Sequence, residues 1–205
     1  MATLEKRIYL ASRSPRRREL LKQIGVSFEA LLLREDLVRG PDVEEAPHSG
    51  ESPLDYAQRV ARSKAEMGWS RVLQRKLRPF PVLAADTIVS LDGEIIGKPD
   101  SRAHALETLK KLSGKRHEVH TAVAMCNHDA FEVKLSSTVV EFGELTEAEI
   151  KRYIAGGEAL DKAGAYAVQG RAAMFIRSIS GSYSGVMGLP LFETVQLLRR
   201  FGYQI

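Results

Sequence analysis

Residues 12–18, Ser12-Arg13-Ser14-Pro15-Arg16-Arg17-Arg18, bring hydroxyls and guanidinium groups together where a helix is expected to begin. Ser14 has the side chain of an N-cap, and Pro15 suits the first helical position. Cations in a first helical turn oppose the macrodipole, whose N-terminal end already carries about half a positive charge. An anion held by free backbone N–H groups, by the Ser12 and Ser14 hydroxyls and by the forks of Arg16 and Arg17 reverses the sign of that cost. The segment is therefore a candidate triphosphate cradle. The same residues also read as a solvated basic helix start.

A second candidate is Asp86, which interrupts the apolar run 82–91. Buried carboxylates are rare unless paired or functional. Asp86 could take a proton from a water attacking phosphorus, or hold a divalent ion that neutralises phosphate charge; an acid capping a strand end is the plainer alternative. A few residues on, Ile96-Gly97-Lys98-Pro99 sets Lys98 in a stiff turn, where it could reach a phosphate although no Gly-rich Walker loop is present. Gln169, in the glycine-bounded stretch 156–170, carries the paired donor and acceptor needed to read a pyrimidine edge. The stretch 180–191 reads as a turn or a backbone cradle.

The elements that must position these groups alternate between strand and helix. Residues 8–11 read as a short buried strand, followed by a helix that Gly25 stops, and 26–33 as a second strand. The stretch 34–52, acidic and punctuated by Gly and Pro, is expected to be a long mobile loop. A helix capped by Ser52 is predicted to run to about Gly68, followed by a basic connector at 71–78. The strand 82–91 turns at Asp92-Gly93 into a returning arm at 94–96. Next come a capped helix from 101 to 112 and strands at 118–126 and 131–142, joined by a turn at Asn127-His128-Asp129. A capping box of Thr146 and Glu149 opens a further helix. A strand at 172–179 and an amphipathic helix at 189–201 complete the pattern. The outcome expected is one α/β domain over residues 1–205, with a mixed, twisted sheet flanked by helices.

Bulk properties narrow the function class. A chain of 205 residues, 44% hydrophobic and 27% charged, has the composition of a globular protein and can bury a sizeable core. The single cysteine, Cys126, forms no internal disulfide and fits a reducing, cytoplasmic setting. The apolar stretch 8–11 is shorter than the core of a secretory signal, and no window has the ~20 apolar residues of a membrane span. A net charge of +4 favours anionic partners. The basic clusters at 13–18 and 71–78 have no interleaved aromatics for base stacking, so stable nucleic-acid binding is not expected.

Taken in order, six motifs resemble the Maf family of nucleotide pyrophosphatases. They are Leu-Ala-Ser-Arg-Ser-Pro-Arg-Arg at 10–17, Ala-Asp-Thr-Ile-Val at 85–89, Gly-Lys-Pro at 97–99, Leu-Ser-Gly-Lys-Arg-His at 112–117, Asp-Lys-Ala-Gly-Ala-Tyr at 161–166 and Gly-Leu-Pro-Leu at 188–191. The resemblance implies an inosine-triphosphatase-like fold with two lobes around a central cleft. It also implies a hydrolase that attacks the α-phosphorus of a nucleoside triphosphate and releases pyrophosphate, with Mg²⁺, or alternatively Mn²⁺, as cofactor. Asp86 would be the proton acceptor and a metal ligand, and Lys64 and Lys98 would contact phosphate. Arg16, Thr87 and Gln169 match the subgroup acting on dTTP and UTP, modified pyrimidine nucleotides included. The acidic position after the second strand falls on Glu35 or Asp36, with Asp36 as the second metal ligand. A homodimer is implied as well. Arg13 and Ala167 stand where the family usually has a small residue and Gly. The alternative from another class is a nucleotide- or nucleic-acid-binding regulator of cell division without turnover.

Overall fold

The computed structural model describes residues 7–34 and 40–205. Strand β1 (Ile8–Leu10) is wholly buried and leads into helix α1 (Pro15–Gln23), whose N-cap Ser14 accepts from the Arg17 N–H. Gly25, at φ +71°, lets the chain leave that helix in a conformation that L side chains rarely adopt. Strand β2 (Phe28–Ala30) covers only the middle of the expected run, because it lies at the sheet edge and pairs only with β1.

Helix α2 (Pro53–Gln74) is capped by Ser52 as expected but continues through Gly68 and into the segment read as a connector. Gly68 is a close-approach residue and not a stop signal: a Cβ there would lie 2.7 Å from Val82 Cγ1, so its absence lets the helix sit down on the sheet. Strand β3 (Val82–Leu91) and β4 (Glu94–Ile96) form the expected hairpin. Asp92 and Gly93 take φ +52° and +81°, the two positive values that a tight primed turn needs.

Helix α3 (Arg102–Leu112), strands β5 (Arg116–Cys126) and β6 (Phe131–Phe142) and helix α4 (Glu147–Ala155) follow, and the Thr146–Glu149 capping box is formed. The expected strand at 172–179 begins only at β7 (Ile176–Ser180), since Arg171–Phe175 winds into a 3₁₀ turn that buries Ala172 and Phe175. The stretch read as a turn or cradle holds a short helix, α5 (Tyr183–Met187), before α6 (Leu191–Arg200).

The sheet runs β2-β1-β3-β5-β6-β7, with β4 paired to β3. The β2, β1 and β3 strands are parallel and the remaining pairs antiparallel, so the sheet is mixed, as expected. Alternation along β3 divides the core. Val82 and Ala84 pack with Val60, Ala61 and Ala65 of α2, while Leu83 and Ala85 pack with Leu20 and Leu21 of α1 and Leu197 and Leu198 of α6. Further along, Val89 and Leu91 join a third cluster with Leu109 and Leu112 of α3 and Ile150 and Tyr153 of α4. On the face that carries Leu83, Ala85, Val89 and Leu91, the apolar clusters therefore change hands at Thr87. Among the described residues no helix is long and apolar enough to cross a membrane.

Candidate active site

A cavity of about 920 Å³ opens at this break in the core, within the size range of small-molecule sites. The β1–α1 turn, β3, the hairpin end, α2, the α5 turn and the loop 43–47 all contribute to its lining. Sequence separation explains why no single motif announces it: the topology brings residues 12–17, 64, 86–87, 98 and 188 into its lining.

Asp86, on β3, is only 7% exposed, and Oδ1 lies 2.7 Å from Lys64 Nζ on α2. The same ammonium is 2.9 Å from Glu45 Oε1, so one cation serves two carboxylates inside the cavity. A buried acid is tolerable when paired in this way, and the pair explains why β3 can carry it.

Arg17 is more heavily tethered. Its Nε donates to Gly188 O at 2.7 Å, Nη1 to Ser12 Oγ at 3.2 Å and Nη2 to Thr87 Oγ1 at 3.2 Å. Burial lowers the pKa of this guanidinium, and the charge of Asp86 opposes the shift; an arginine keeps its proton regardless. Three of its five N–H bonds are spent on protein, which fixes the plane of the fork and leaves two donors for a ligand. Gly188 can present its carbonyl because it sits at φ +113°.

Ser12 and Ser14 are spent in part on this scaffold: Ser12 Oγ also accepts from the Ser14 N–H at 3.2 Å, and Ser14 Oγ caps α1. Arg16 and Lys98 line the cavity with no hydrogen bond or ion pair to any described residue. The candidates thus divide into a fixed set, Arg17, Lys64, Asp86 and Thr87, and two open cations.

One expected participant stands apart. Gln169 is exposed and is not part of the cavity lining, so its expected reading of a pyrimidine edge has no contact to rest on. Glu35 and Asp36 lie outside the described residues. The loop expected to be mobile is tied down over its described part. Arg59 binds Glu51 through Nε and Nη2 at 2.6 and 2.8 Å and donates to Ala46 O, Tyr56 donates to Glu45 O at 2.7 Å, and Asp42 joins Arg34 and Arg71. These ties carry Glu45 to Lys64. Arg13 donates to Leu33 O at 3.0 Å.

Glu45 was not singled out by sequence reasoning, because it sits in a stretch whose Gly and Pro content signals only loop. Thr121 was also missed. It is a polar residue inside an apolar strand, the same signal that exposed Asp86, and it pairs directly with Thr87 across β3 and β5. Behind the cavity, His117 is 2% exposed and shares a 2.9 Å hydrogen bond with the Tyr166 hydroxyl. Burial pushes the His117 pKa down to about 4, so at neutral pH it is an uncharged strut and not an acid–base group. This links two of the six motifs, 112–117 and 161–166, through packing.

The family described as "Maf: Maf-like protein" matches residues 7–201. A protein of Nitrosospira multiformis named dTTP/UTP pyrophosphatase is 58% identical over 100% of this chain and 99% of its own length. A Nitrosomonas europaea protein of the same name is 56% identical over 97% of this chain and 96% of its own length. Among solved structures, the Staphylococcus aureus Ham1 protein has the same fold at 18% identity, with a TM-score of 0.50 over 96% of this chain and 97% of that one.

Proposed function

The chain belongs to the Maf family, and from that premise we propose that it hydrolyses dTTP and UTP to the monophosphate and pyrophosphate. The observation that carries this is the Lys64–Asp86 pair, facing a cavity that also holds two cations, Arg16 and Lys98, with no hydrogen bond or ion pair among the described residues. A polyanion is the ligand that unpartnered cations call for, and a carboxylate beside them is the base that hydrolysis needs.

In this mechanism Arg16, Arg17 and Lys98 bind the triphosphate, with Ser12 and Ser14 supporting the helix start. Asp86 Oδ1 is engaged by Lys64, so the second carboxylate oxygen is the one able to take a proton from the attacking water. That water forms the new bond to the α-phosphorus as the bond to the bridging oxygen breaks, and pyrophosphate leaves with the electron pair. Lys64 holds Asp86 in place through the 2.7 Å contact to Oδ1. The tethered plane of Arg17 orients the phosphates with little reorganisation.

The donor set also fits a divalent ion. Asp86 and Glu45 converge on one ammonium, and Mg²⁺ is commonly held by one or two carboxylates together with substrate phosphates. Glu45 together with the substrate phosphates would hold it, which leaves the second Asp86 oxygen for the proton, and the ion when bound would supply neutralisation of phosphate charge. A homodimer in the cytoplasm belongs to the same proposal; the free, buried Cys126 agrees with a reducing compartment, and sedimentation tests the dimer.

The test is product analysis with Mg²⁺ and dTTP or UTP. Pyrophosphate and monophosphate in equal amounts are expected. Orthophosphate as the only phosphate product, or binding without turnover, would contradict the proposal.

A further inference from the structure

The loop between α4 and β7 reaches the cavity at its tip and is fastened at its base. Asp161, Lys162 and Ala163 belong to the cavity lining, whereas Glu158 does not. Glu158 instead spans the two ends of the loop. Its Oε1 accepts from the Tyr153 hydroxyl at 3.1 Å, and its Oε2 from the Arg171 N–H at 3.1 Å. Tyr153 is fully buried in α4, which makes it a firm anchor. The carboxylate fits only because Gly170 has no side chain: a Cβ there would lie 2.1 Å from Oε1. One side chain thus closes the stretch 158–171 on itself, in the manner of a compact Ω-loop.

Two contacts carry this closure toward the cavity. The Glu158 carbonyl accepts from Lys162 Nζ at 3.0 Å, which draws the tip back onto the base. Just past the tip, the Gly164 N–H donates to Gly97 O at 3.2 Å. Gly164 packs so closely that a Cβ on it would lie 2.9 Å from Val89 Cγ2.

The Gly97 carbonyl shares one peptide plane with the Lys98 nitrogen, so a bond to its oxygen sets the direction in which Lys98 leaves the turn. On the other side, the buried Pro99 restricts the Lys98 backbone. The Lys98 side chain has no hydrogen bond or ion pair to a described residue, so these backbone restraints are what aim it.

We propose that Glu158 is a positioning residue for Lys98: by clasping the base of the 158–171 loop it holds Gly164 against Gly97, and so directs the Lys98 ammonium at the phosphates. This rests on the cavity being a nucleoside triphosphate site. Glu158 acts through the loop alone. Opening the clasp frees the Gly97–Lys98 peptide to turn and weakens phosphate binding, while the Lys64–Asp86 pair, carried by α2 and β3, stays in place.

The experiment measures kcat and KM for UTP with Mg²⁺ in the wild type, Glu158→Ala and Glu158→Gln, each with Lys98 intact and with Lys98→Ala. Glu158→Ala is expected to raise KM about fivefold or more, the scale of a weakened hydrogen bond to a charged group, with kcat within about twofold of wild type. Glu158→Gln should keep the wild-type KM, because its amide oxygen accepts from the Arg171 N–H and its NH₂ group donates to the Tyr153 oxygen. In the Lys98→Ala background, Glu158→Ala should change KM by less than about twofold, since the group it positions is gone. A merely structural role would lower kcat through loss of folded enzyme and would add its effect to that of Lys98→Ala. The proposal is overturned by an unchanged KM in Glu158→Ala or in Lys98→Ala, by a Glu158→Gln variant as impaired as Glu158→Ala, or by an undiminished effect of Glu158→Ala without Lys98. Should Glu158→Ala not fold, as read by circular dichroism, Glu158→Asp, one methylene too short to span both donors, takes its place under the same criteria. If UTP is not turned over, the hydrolase proposal fails by itself. The positioning of Lys98 is then read from the Kd of inorganic triphosphate, measured by calorimetry on the same variants, with Kd judged as KM is above.

Discussion

Lys64 Nζ lies 2.7 Å from Asp86 Oδ1, joining the middle of α2 to the one acid of β3. Both side chains are largely shielded, and Glu45 shares the ammonium from the other side. Lys64→Met therefore leaves the buried Asp86 carboxylate without its cation. Breaking a buried pair in this way costs about 3 kcal/mol, which urea unfolding should register. Loss of the ammonium beside the phosphates should lower kcat by about a hundredfold or more. A variant of unchanged stability and rate would show that the pair is incidental.

Arg17 and Arg16 are adjacent in sequence but differ in what holds them. Arg17 makes three hydrogen bonds to Gly188, Ser12 and Thr87, a pattern no ammonium reproduces. Arg16 lines the cavity with no hydrogen bond or ion pair to a described residue. Arg17→Lys should reduce kcat/KM for UTP by about a hundredfold, and Arg16→Lys by about tenfold, because a lysine can still reach a phosphate as a point charge. Equal losses in steady-state assays would contradict the distinction.

The Gly188 carbonyl reaches Arg17 only because the backbone adopts φ +113°. An alanine there is strained by about 1–2 kcal/mol, and relief of that strain rotates the carbonyl away from Nε. Gly188→Ala should raise the KM for UTP severalfold more than it lowers kcat, with a small loss of thermal midpoint. An unchanged KM would mean that the tether does not orient Arg17.

His117 gives the stability a predictable pH dependence. Its pKa lies near 6.5 in the unfolded chain and about 4 in the folded one, since burial disfavours the imidazolium. Between those values the unfolded state binds the extra proton, so stability falls as the pH drops from 7 toward 4. The contribution is about 3 kcal/mol, from 1.36 kcal/mol per pKa unit. Urea unfolding at pH 7 and pH 4 should show this loss reduced by about that amount in His117→Gln, whose amide can still bond Tyr166. Identical pH dependence in the two proteins would remove His117 as the cause.

The residues that could be found from sequence were those whose type conflicts with their surroundings. Asp86 inside an apolar strand and three arginines at a helix start each carry a local energetic cost that invites a partner. The β3–β4 hairpin and the capping box were equally legible, because their turn and cap chemistry is local. Glu45 was not, since its place opposite Lys64 depends on Arg59, Tyr56 and Arg71 drawing the 40–52 loop onto α2, contacts with no local signature. Gly68 misled for the complementary reason: a glycine in a helical pattern reads as a terminator until the sheet beneath it is known. Gln169 matched its motif by type, but the fold leaves it exposed and off the cavity wall. Sequence pattern thus located the residues that are costly in themselves, while the residues whose role comes from tertiary docking needed the coordinates.

The central claim, that Asp86 is the base of a triphosphate-hydrolysing cleft, is tested most directly by Asp86→Asn assayed for pyrophosphate release from UTP with Mg²⁺. The amide keeps the shape of the carboxylate but cannot accept the proton from water. A fall in kcat of about a thousandfold is predicted, with the thermal midpoint and UMP binding close to wild type. Turnover at the wild-type rate, or a loss explained entirely by unfolding, would contradict it.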